Sequence, residues 1–187
     1  RRPRFAAMGT QDDLVAAVGA LAATDRVDPQ HVRSLLAGAL ADRSAWLRPE
    51  HLRRDPDAPW ALYPLLRTAR CSLVVAVFRP GAVVPVHDHG SWAVIGVYRG
   101  RERETRYRVG DPPGPLRAVD TMVNEPGDVV EVPRHLPHTV VALDGEDAVS
   151  LHVYGTDIVT QQRNEYDVDT GAARPYQPGF ATPATPG

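Results

Sequence analysis

Gly81-Ala-Val-Val-Pro-Val-His-Asp-His-Gly-Ser-Trp-Ala-Val-Ile-Gly-Val-Tyr-Arg-Gly100 is the stretch on which the fold turns. His87 and His89 stand two apart, and on an extended strand side chains at that spacing leave on the same face. Two imidazoles on one face can hold one metal ion, and imidazole suits iron, copper, nickel and zinc. The flanking Val, Ile, Trp and Tyr favour strands, and glycines bracket the run as turns. Alone, a His-x-His pair is a weak signal. A second run, Gly127-Asp-Val-Val-Glu-Val-Pro-Arg-His-Leu-Pro-His138, adds a third imidazole. It reads as a Gly-Asp turn, a short apolar strand, a Pro-framed loop and then His138 opening another strand.

The bulk numbers bound the problem. At 187 residues the chain predicts one domain with a small helical lead-in. That length buries a full core without disulfides. A formal charge of −2 gives no argument for a nucleic-acid partner or a membrane surface. The single cysteine, Cys71, has no internal partner and reads as a small buried hydrophobe, which fits a reducing cytoplasm. No apolar run approaches the ~20 residues that span a bilayer. No long apolar segment follows Arg1-Arg-Pro-Arg-Phe5, so no signal peptide is expected.

Taken in order, residues 1–10 read as a disordered leader. Residues 11–67 read as a helical lead-in packed on the outside of a barrel that spans 68–180, with 181–187 as a tail. Leu14, Val15, Val18 and Leu21 recur at helical spacing over 11–23, with Thr10 as cap and Asp12 and Asp13 in the first turn. A second helix is predicted over 29–41, with Asp28 as cap, Pro29 as first residue and Val32, Leu35, Leu36 and Leu40 as inner face. A third helical or irregular piece is expected over 51–67. Strands are predicted at 71–78, 83–86, 92–98, 102–109, 116–123, 129–132, 139–143 and 149–154, and a late hairpin at 164–176 turns at Asp169-Thr-Gly171. The run 71–78 is almost continuously apolar, as a strand covered on both faces should be. Asp111-Pro-Pro-Gly-Pro115 is a loop signal. Many short strands between regular turns argue for a sandwich or barrel.

The two histidine-bearing runs resemble the two cupin motifs. The first reads Gly-x5-His-x-His and closes at Gly100, and the second reads Gly-x5-Pro, a turn, then His. The resemblance implies a mainly β, double-stranded β-helix with a metal in one mouth and the N-terminal helices packed outside. The position that usually carries a Glu ligand is Ala93, which leaves three neutral histidines. Val149-Ser-Leu-His-Val-Tyr154 puts Ser150, His152 and Tyr154 on one face of one strand. With the His-Asp-His pair and the Arg-x-Arg-Glu-Thr run after Gly100, this resembles the thiol dioxygenases, cysteine dioxygenase and 3-mercaptopropionate dioxygenase among them, over roughly residues 60–180.

That resemblance implies His87, His89 and His138 as ligands of Fe(II), and Ser150, His152 and Tyr154 as an outer hydrogen-bonded triad. It implies a small thiol and O2 as substrates and a sulfinic acid as product. Three neutral imidazoles leave the ion its full charge, which favours a thiolate over a thiol, and leave positions open for sulfur and dioxygen. Mammalian cysteine dioxygenases crosslink a cysteine to the active-site tyrosine. Here the matching position is Ala93, so the pattern sits closer to bacterial members. The family's carboxylate-holding Arg or Gln falls at Leu65 in this chain. Arg67, Tyr63 and Trp92 are the substrate-binding candidates, with Arg70 and Arg79 near. Cysteine, 3-mercaptopropionate and a bulkier thiol or thione such as ergothioneine all stay open. Two other function classes stay open beside the enzyme: a cupin that binds a metal or ligand as sensor or store, and a cupin enzyme of another reaction class. His135 reads as a loop residue near the metal mouth, His31 and His51 as solvated, and Asp88 as structural.

Overall fold

Strand β2, Ser72–Phe78, is buried at every position, and so is β9, Ala148–Tyr154. These two strands pair antiparallel over their whole length, from Ser72 opposite Tyr154 to Phe78 opposite Ala148. Side chains alternate across a strand, so total burial requires cover on both faces. The computed structural model describes residues 9–41, 46–110, 114–143 and 145–181, and it supplies that cover.

Among the described residues, eleven strands make two antiparallel sheets. The remaining strands are β1 (Trp60–Arg67), β3 (Val83–His87), β4 (Ala93–Arg99), β5 (Glu102–Arg108) and β6 (Arg117–Asn124). After them come β7 (Val129–Val132), β8 (His138–Ala142), β10 (Arg163–Tyr166) and β11 (Ala173–Tyr176). One sheet runs β1-β2-β9-β4-β7 and the other β11-β10-β3-β8-β5-β6. Between them, Ala76, Phe78 and Ala148 of the first sheet pack on Val84, Val140 and Ala142 of the second.

The outer face of the first sheet carries the helices. Helix α1, Gln11–Ala22, starts at the expected Thr10 cap, where Thr10 Oγ1 accepts from the Asp13 N–H and the Asp13 carboxylate accepts from the Thr10 N–H. Helix α2, Pro29–Ala41, has the expected bounds. Leu14, Val18, Val32, Leu35, Leu36 and Leu40 form one cluster with Leu73, Val75, Val77, Val149, Leu151 and Val153. The odd-numbered residues of β2 and β9 therefore meet the helices, and the even-numbered ones meet the barrel interior. Gly96 of β4 lies under α2, where a Cβ would stand 2.5 Å from Leu40 Cδ1. The missing side chain lets the helix sit close.

The lead-in departs from expectation. A 3-10 turn, Pro49–Leu52, is the last helical piece, and Trp60–Arg67 is a strand at the sheet's edge, pairing Trp60 with Phe78 and Arg67 with Ser72. Its Trp-Ala-Leu-Tyr-Pro-Leu-Leu run lacks a helical period, and Pro64 is tolerated because an edge strand leaves one side unpaired. His51 is also not solvated. It is buried at 8% exposure, with Nδ1 2.9 Å from Gln11 Oε1 and its ring edge-on to Tyr63. Cys71 is buried as expected, and burial pushes its thiol up to about 12. The predicted leader up to residue 8, the tail from 182 and positions 111–113 of the Pro-rich loop lie outside the described residues.

Leu151 is fully buried in the helix-facing cluster, while its neighbours in sequence face the barrel. Leu151→Ala should cost about 2–5 kcal/mol of stability, measured by chemical denaturation. The metal affinity of the folded protein should be unchanged, because the imidazoles lie on the other face.

Candidate metal centre

His87 ends β3 and pairs across the ladder with His138, the first residue of β8. His89 lies just beyond, in the loop toward β4, and its ring meets that of His138 edge-on at 4.9 Å. One ring nitrogen from each of His87, His89 and His138 lies within 4.8 Å of the others, and all three residues are buried. His138 Nε2 stands 3.2 Å from His89 Nε2. A metal bonded to two imidazole nitrogens at ~2.1 Å holds them about 3.0–3.4 Å apart, from octahedral to tetrahedral angles, so this pair is already at ligand spacing.

The hydrogen bonds fix the tautomers that a metal needs. His87 donates Nδ1–H to the Pro85 carbonyl at 2.8 Å, and His138 donates Nδ1–H to the Glu104 carboxylate at 3.0 Å. Both leave Nε2 bare. Burial, reinforced by the neighbouring histidines, pushes His87 and His89 well below the usual imidazole range, so both stay neutral with lone pairs available. His89 Nδ1 has no partner among the described residues, so no hydrogen bond there holds the tautomer of its ring. The donor set fits a divalent metal.

Glu104, which the sequence placed in the Arg-x-Arg-Glu-Thr run but gave no role of its own, stands behind His138. It is 1% exposed on β5, one strand over from His138, and ion-pairs with Arg106 at 2.8 Å. Burial alone would raise its carboxyl, but hydrogen bonds from His138 and Arg106 outweigh this and hold it at about 2. A carboxylate behind a ligating imidazole orients the ring and raises its basicity. That run, with the residue after it, also shows period-two spacing in Glu102, Glu104 and Arg106, which becomes meaningful once β5 is known to pair with β8.

Asp88, between the two histidines, turns away from the cavity as expected. Its carboxylate accepts from the backbone N–H groups of Gly90 and Asn164, from Asn164 Nδ2 and from the Tyr166 hydroxyl, the last at 2.7 Å. These bonds stitch the His-Asp-His loop to β10. Gly90 permits the approach: it has φ +59°, and a Cβ there would lie 2.6 Å from the Gln162 carbonyl oxygen.

The first residue of β10 is Arg163, which the sequence left without a role. It is 3% exposed, and its Nε and one terminal nitrogen, Nη2, have no hydrogen-bond partner among the described residues. Its guanidinium lies about 6 Å from the ring centres of Tyr176 and Phe180. It lines one small cavity with His87, His89, His138, His152 and Tyr154. Trp60 and Leu62 of β1 complete the wall.

The expected substrate-binding residues go elsewhere. Tyr63 alternates with Leu62 and so faces the helices, donating its hydroxyl to the Arg53 carbonyl. Arg67 makes a two-pronged ion pair with Asp157 near the surface. Trp92 packs with the helix-side cluster and over Gly155, where any Cβ would collide with the indole. Leu65 joins that same cluster. Arg79 and His135 are exposed.

Ser150, His152 and Tyr154 do come together. Ser150 Oγ is 2.8 Å from His152 Nε2, and His152 Nδ1 is 2.9 Å from the Tyr154 hydroxyl. Burial pushes His152 down to about 3 and Tyr154 up to about 12, so both are neutral. The Tyr154 ring stands edge-on to His89 at 5.1 Å. Its ladder neighbours are Ser72 and Ala93. Ala93, where a cupin Glu ligand is usual, adds no ligand atom and leaves the tyrosine room.

A family profile described as Cupin matches residues 61–176. The chain belongs to the cupin family. Its two sheets form the cupin double-stranded β-helix, and the helices lie outside it. Solved cupins resemble it at low identity. An RmlC-like cupin from Methanocaldococcus jannaschii is 15% identical, with 57% of this chain and 89% of that one covered and a TM-score of 0.44. A cupin superfamily protein from Desulfitobacterium hafniense is 16% identical over 61% and 93%, with a TM-score of 0.47. Oxalate oxidase in complex with glycolate is 17% identical, with a TM-score of 0.44. That match covers 55% of this cupin and about half, 53%, of the oxidase chain. No helix among the described residues is long and apolar enough to cross a membrane.

Glu104→Gln should weaken metal binding about 10–100-fold, read by competition with a chelator. Because its carboxyl sits at about 2 against an ordinary 4.5, Glu104 stabilises the fold fully above the ordinary value. That contribution should be lost as the pH falls toward about 2, and acid titration of wild type against Glu104→Gln measures it.

Proposed function

We propose that this cupin is an Fe(II)-dependent dioxygenase of small thiols that carry a carboxylate. One observation carries the reading: three buried imidazoles, with no carboxylate among them, share a small cavity with a buried guanidinium that lacks partners for two of its nitrogens among the described residues. A buried cation left unpaired is costly, and an anionic ligand offsets that cost. The guanidinium fork matches a carboxylate bidentately. Cysteine and 3-mercaptopropionate each carry the thiol that the metal would hold and the carboxylate that this fork would hold.

The overall change is R–SH plus O2 giving R–SO2H. Sulfur gains both oxygen atoms and loses four electrons, dioxygen takes up those four, and no external reductant is needed. Fe(II) at His87, His89 and His138 would supply a Lewis-acidic centre that favours thiolate over thiol and activates dioxygen. The chain's own groups do the rest. Arg163 holds the substrate carboxylate and so fixes where the sulfur lies. Tyr154 presents its hydroxyl beside His89, within reach of sulfur or oxygen. His152 and Ser150 hold that hydroxyl in place. Phe78, Leu62 and Trp60 keep the cavity wall apolar and exclude water.

The test loads the protein with Fe(II) anaerobically, admits air and follows oxygen uptake over thiols with and without a carboxylate. Uptake matched by sulfinate, with carboxylated thiols preferred, is expected. No uptake with any thiol, or uptake with no sulfinate formed, would overturn the reading. Arg163→Gln should raise KM for carboxylated thiols about 10–100-fold, the worth of a charged hydrogen bond, and leave thiols without a carboxylate unaffected. Tyr154→Phe should keep the iron and slow turnover, or uncouple it from oxygen uptake.

A further inference from the structure

Behind Ser150 lies a fourth group. Glu102 opens β5 and is 2% exposed, with the Ser150 hydroxyl beside its carboxyl. Its Oε1 has no partner among the described residues. Burial, more than any neighbouring charge, pushes this carboxyl up to about 7. A lone hydroxyl is poor solvation for a buried carboxylate, whereas a neutral acid tolerates the site. We propose that Glu102 is the distal end of a four-residue hydrogen-bond chain, Glu102–Ser150–His152–Tyr154, and that its proton sets the direction in which the chain donates at the cavity.

The chain has two arrangements on the same heavy atoms. With Glu102 protonated, the acid O–H donates to Ser150 Oγ and Ser150 O–H donates to His152 Nε2. His152 Nδ1–H then donates to the Tyr154 oxygen, and Tyr154 O–H is free to donate into the cavity. With Glu102 ionised, every bond reverses: Tyr154 O–H donates to Nδ1, Nε2–H donates to Ser150, and Ser150 O–H donates to the carboxylate. The Tyr154 oxygen then offers the cavity a lone pair. The two arrangements differ by one proton. Going from ionised to protonated, a proton enters at the Tyr154 oxygen and each O–H or N–H proton moves one place along. One O–H bond forms at Glu102, and every intermediate group ends neutral. A thiol S–H is a donor of that one proton. On this account Glu102 takes up the proton that the substrate loses, and Tyr154 becomes a donor once the thiolate has formed. Glu102 touches no substrate and acts through the other three as a positioning residue. The consequence for turnover rests on the thiol dioxygenase proposal; the polarity of the chain does not.

The groups facing Glu102 are few. Glu104 follows on its own strand and is held ionised by His138 and Arg106. Asn124 of β6 and Ala142 of β8 flank it in the ladder. Ser150 faces it from β9, and Tyr154 lies at the far end. Glu102 is therefore the member whose charge changes near neutral pH.

The tautomer of His152 reports the direction without reference to catalysis. We would measure it by two-bond proton–nitrogen correlations on the full chain, loaded with diamagnetic zinc and labelled with 15N-histidine. His152→Gln would assign the signal. From about pH 5 to about pH 9, which brackets a raised carboxyl, His152 should pass from the Nδ1–H to the Nε2–H form. The midpoint should vanish in Glu102→Gln, leaving one tautomer throughout. Ser150→Ala cuts the chain without touching the carboxyl and should do the same. One tautomer across the range in the wild type, or a midpoint surviving either variant, would overturn the proposal. A tautomer that follows Glu102 in a protein that oxidises no thiol upholds the chain and removes only the dioxygenase reading.

Discussion

Two-sided burial of β9 is the constraint on which the site depends. Val149, Leu151 and Val153 are fixed against α1 and α2, and the period of two then forces Ser150, His152 and Tyr154 into the barrel. Each apolar side chain buried on the helix side contributes roughly 1.5–3 kcal/mol. A slip of one residue would exchange the two sets, driving three polar groups into a helix interface and three aliphatic ones onto the metal. The cost of that exchange holds the register, and the register holds the polar chain at its distances of 2.8 and 2.9 Å.

The same economy appears on the second sheet. His87 and His138 are ladder partners, so their convergence is a property of the β3–β8 pairing. Glu104 reaches His138 because β5 lies on the other side of β8. Asp88 faces away from the metal yet ties the His-Asp-His loop to β10, which carries Arg163. Imidazoles, carboxylate support and cation are thus joined by backbone ladders. Their relative positions are as stiff as the sheet.

Charge is arranged with equal consistency. His87 and His89 are kept neutral by burial, and Glu104, the anion behind His138, is kept ionised by His138 and Arg106. Arg163 stands apart, its guanidinium without a carboxylate partner among the described residues and facing aromatic rings. A buried guanidinium so placed favours an anion beside the three imidazoles.

Much of this was legible in the chain. Two histidine-bearing runs at cupin spacing named the three imidazoles, because metal ligation needs few residue types at short separations. Alternation in residues 149–154 exposed the inward triad, and capping and periodicity marked both helices. What the sequence left unassigned came from partners far apart in it. Arg67 and Arg163 look alike as letters. Only the tertiary structure gives the first to Asp157 near the surface and leaves the second buried without a carboxylate partner among the described residues. Likewise Tyr63 and Leu62 are neighbours, and which of them lines the cavity follows from the register of an edge strand that lacks a helical period but was expected to be helical or irregular. Glu102 and Glu104 gained roles only when β5 was set beside β8 and opposite β9. A local pattern is written in a few consecutive residues and survives in one dimension. A buried partner is chosen by which strands pair, and that is decided by the free energy of the whole barrel.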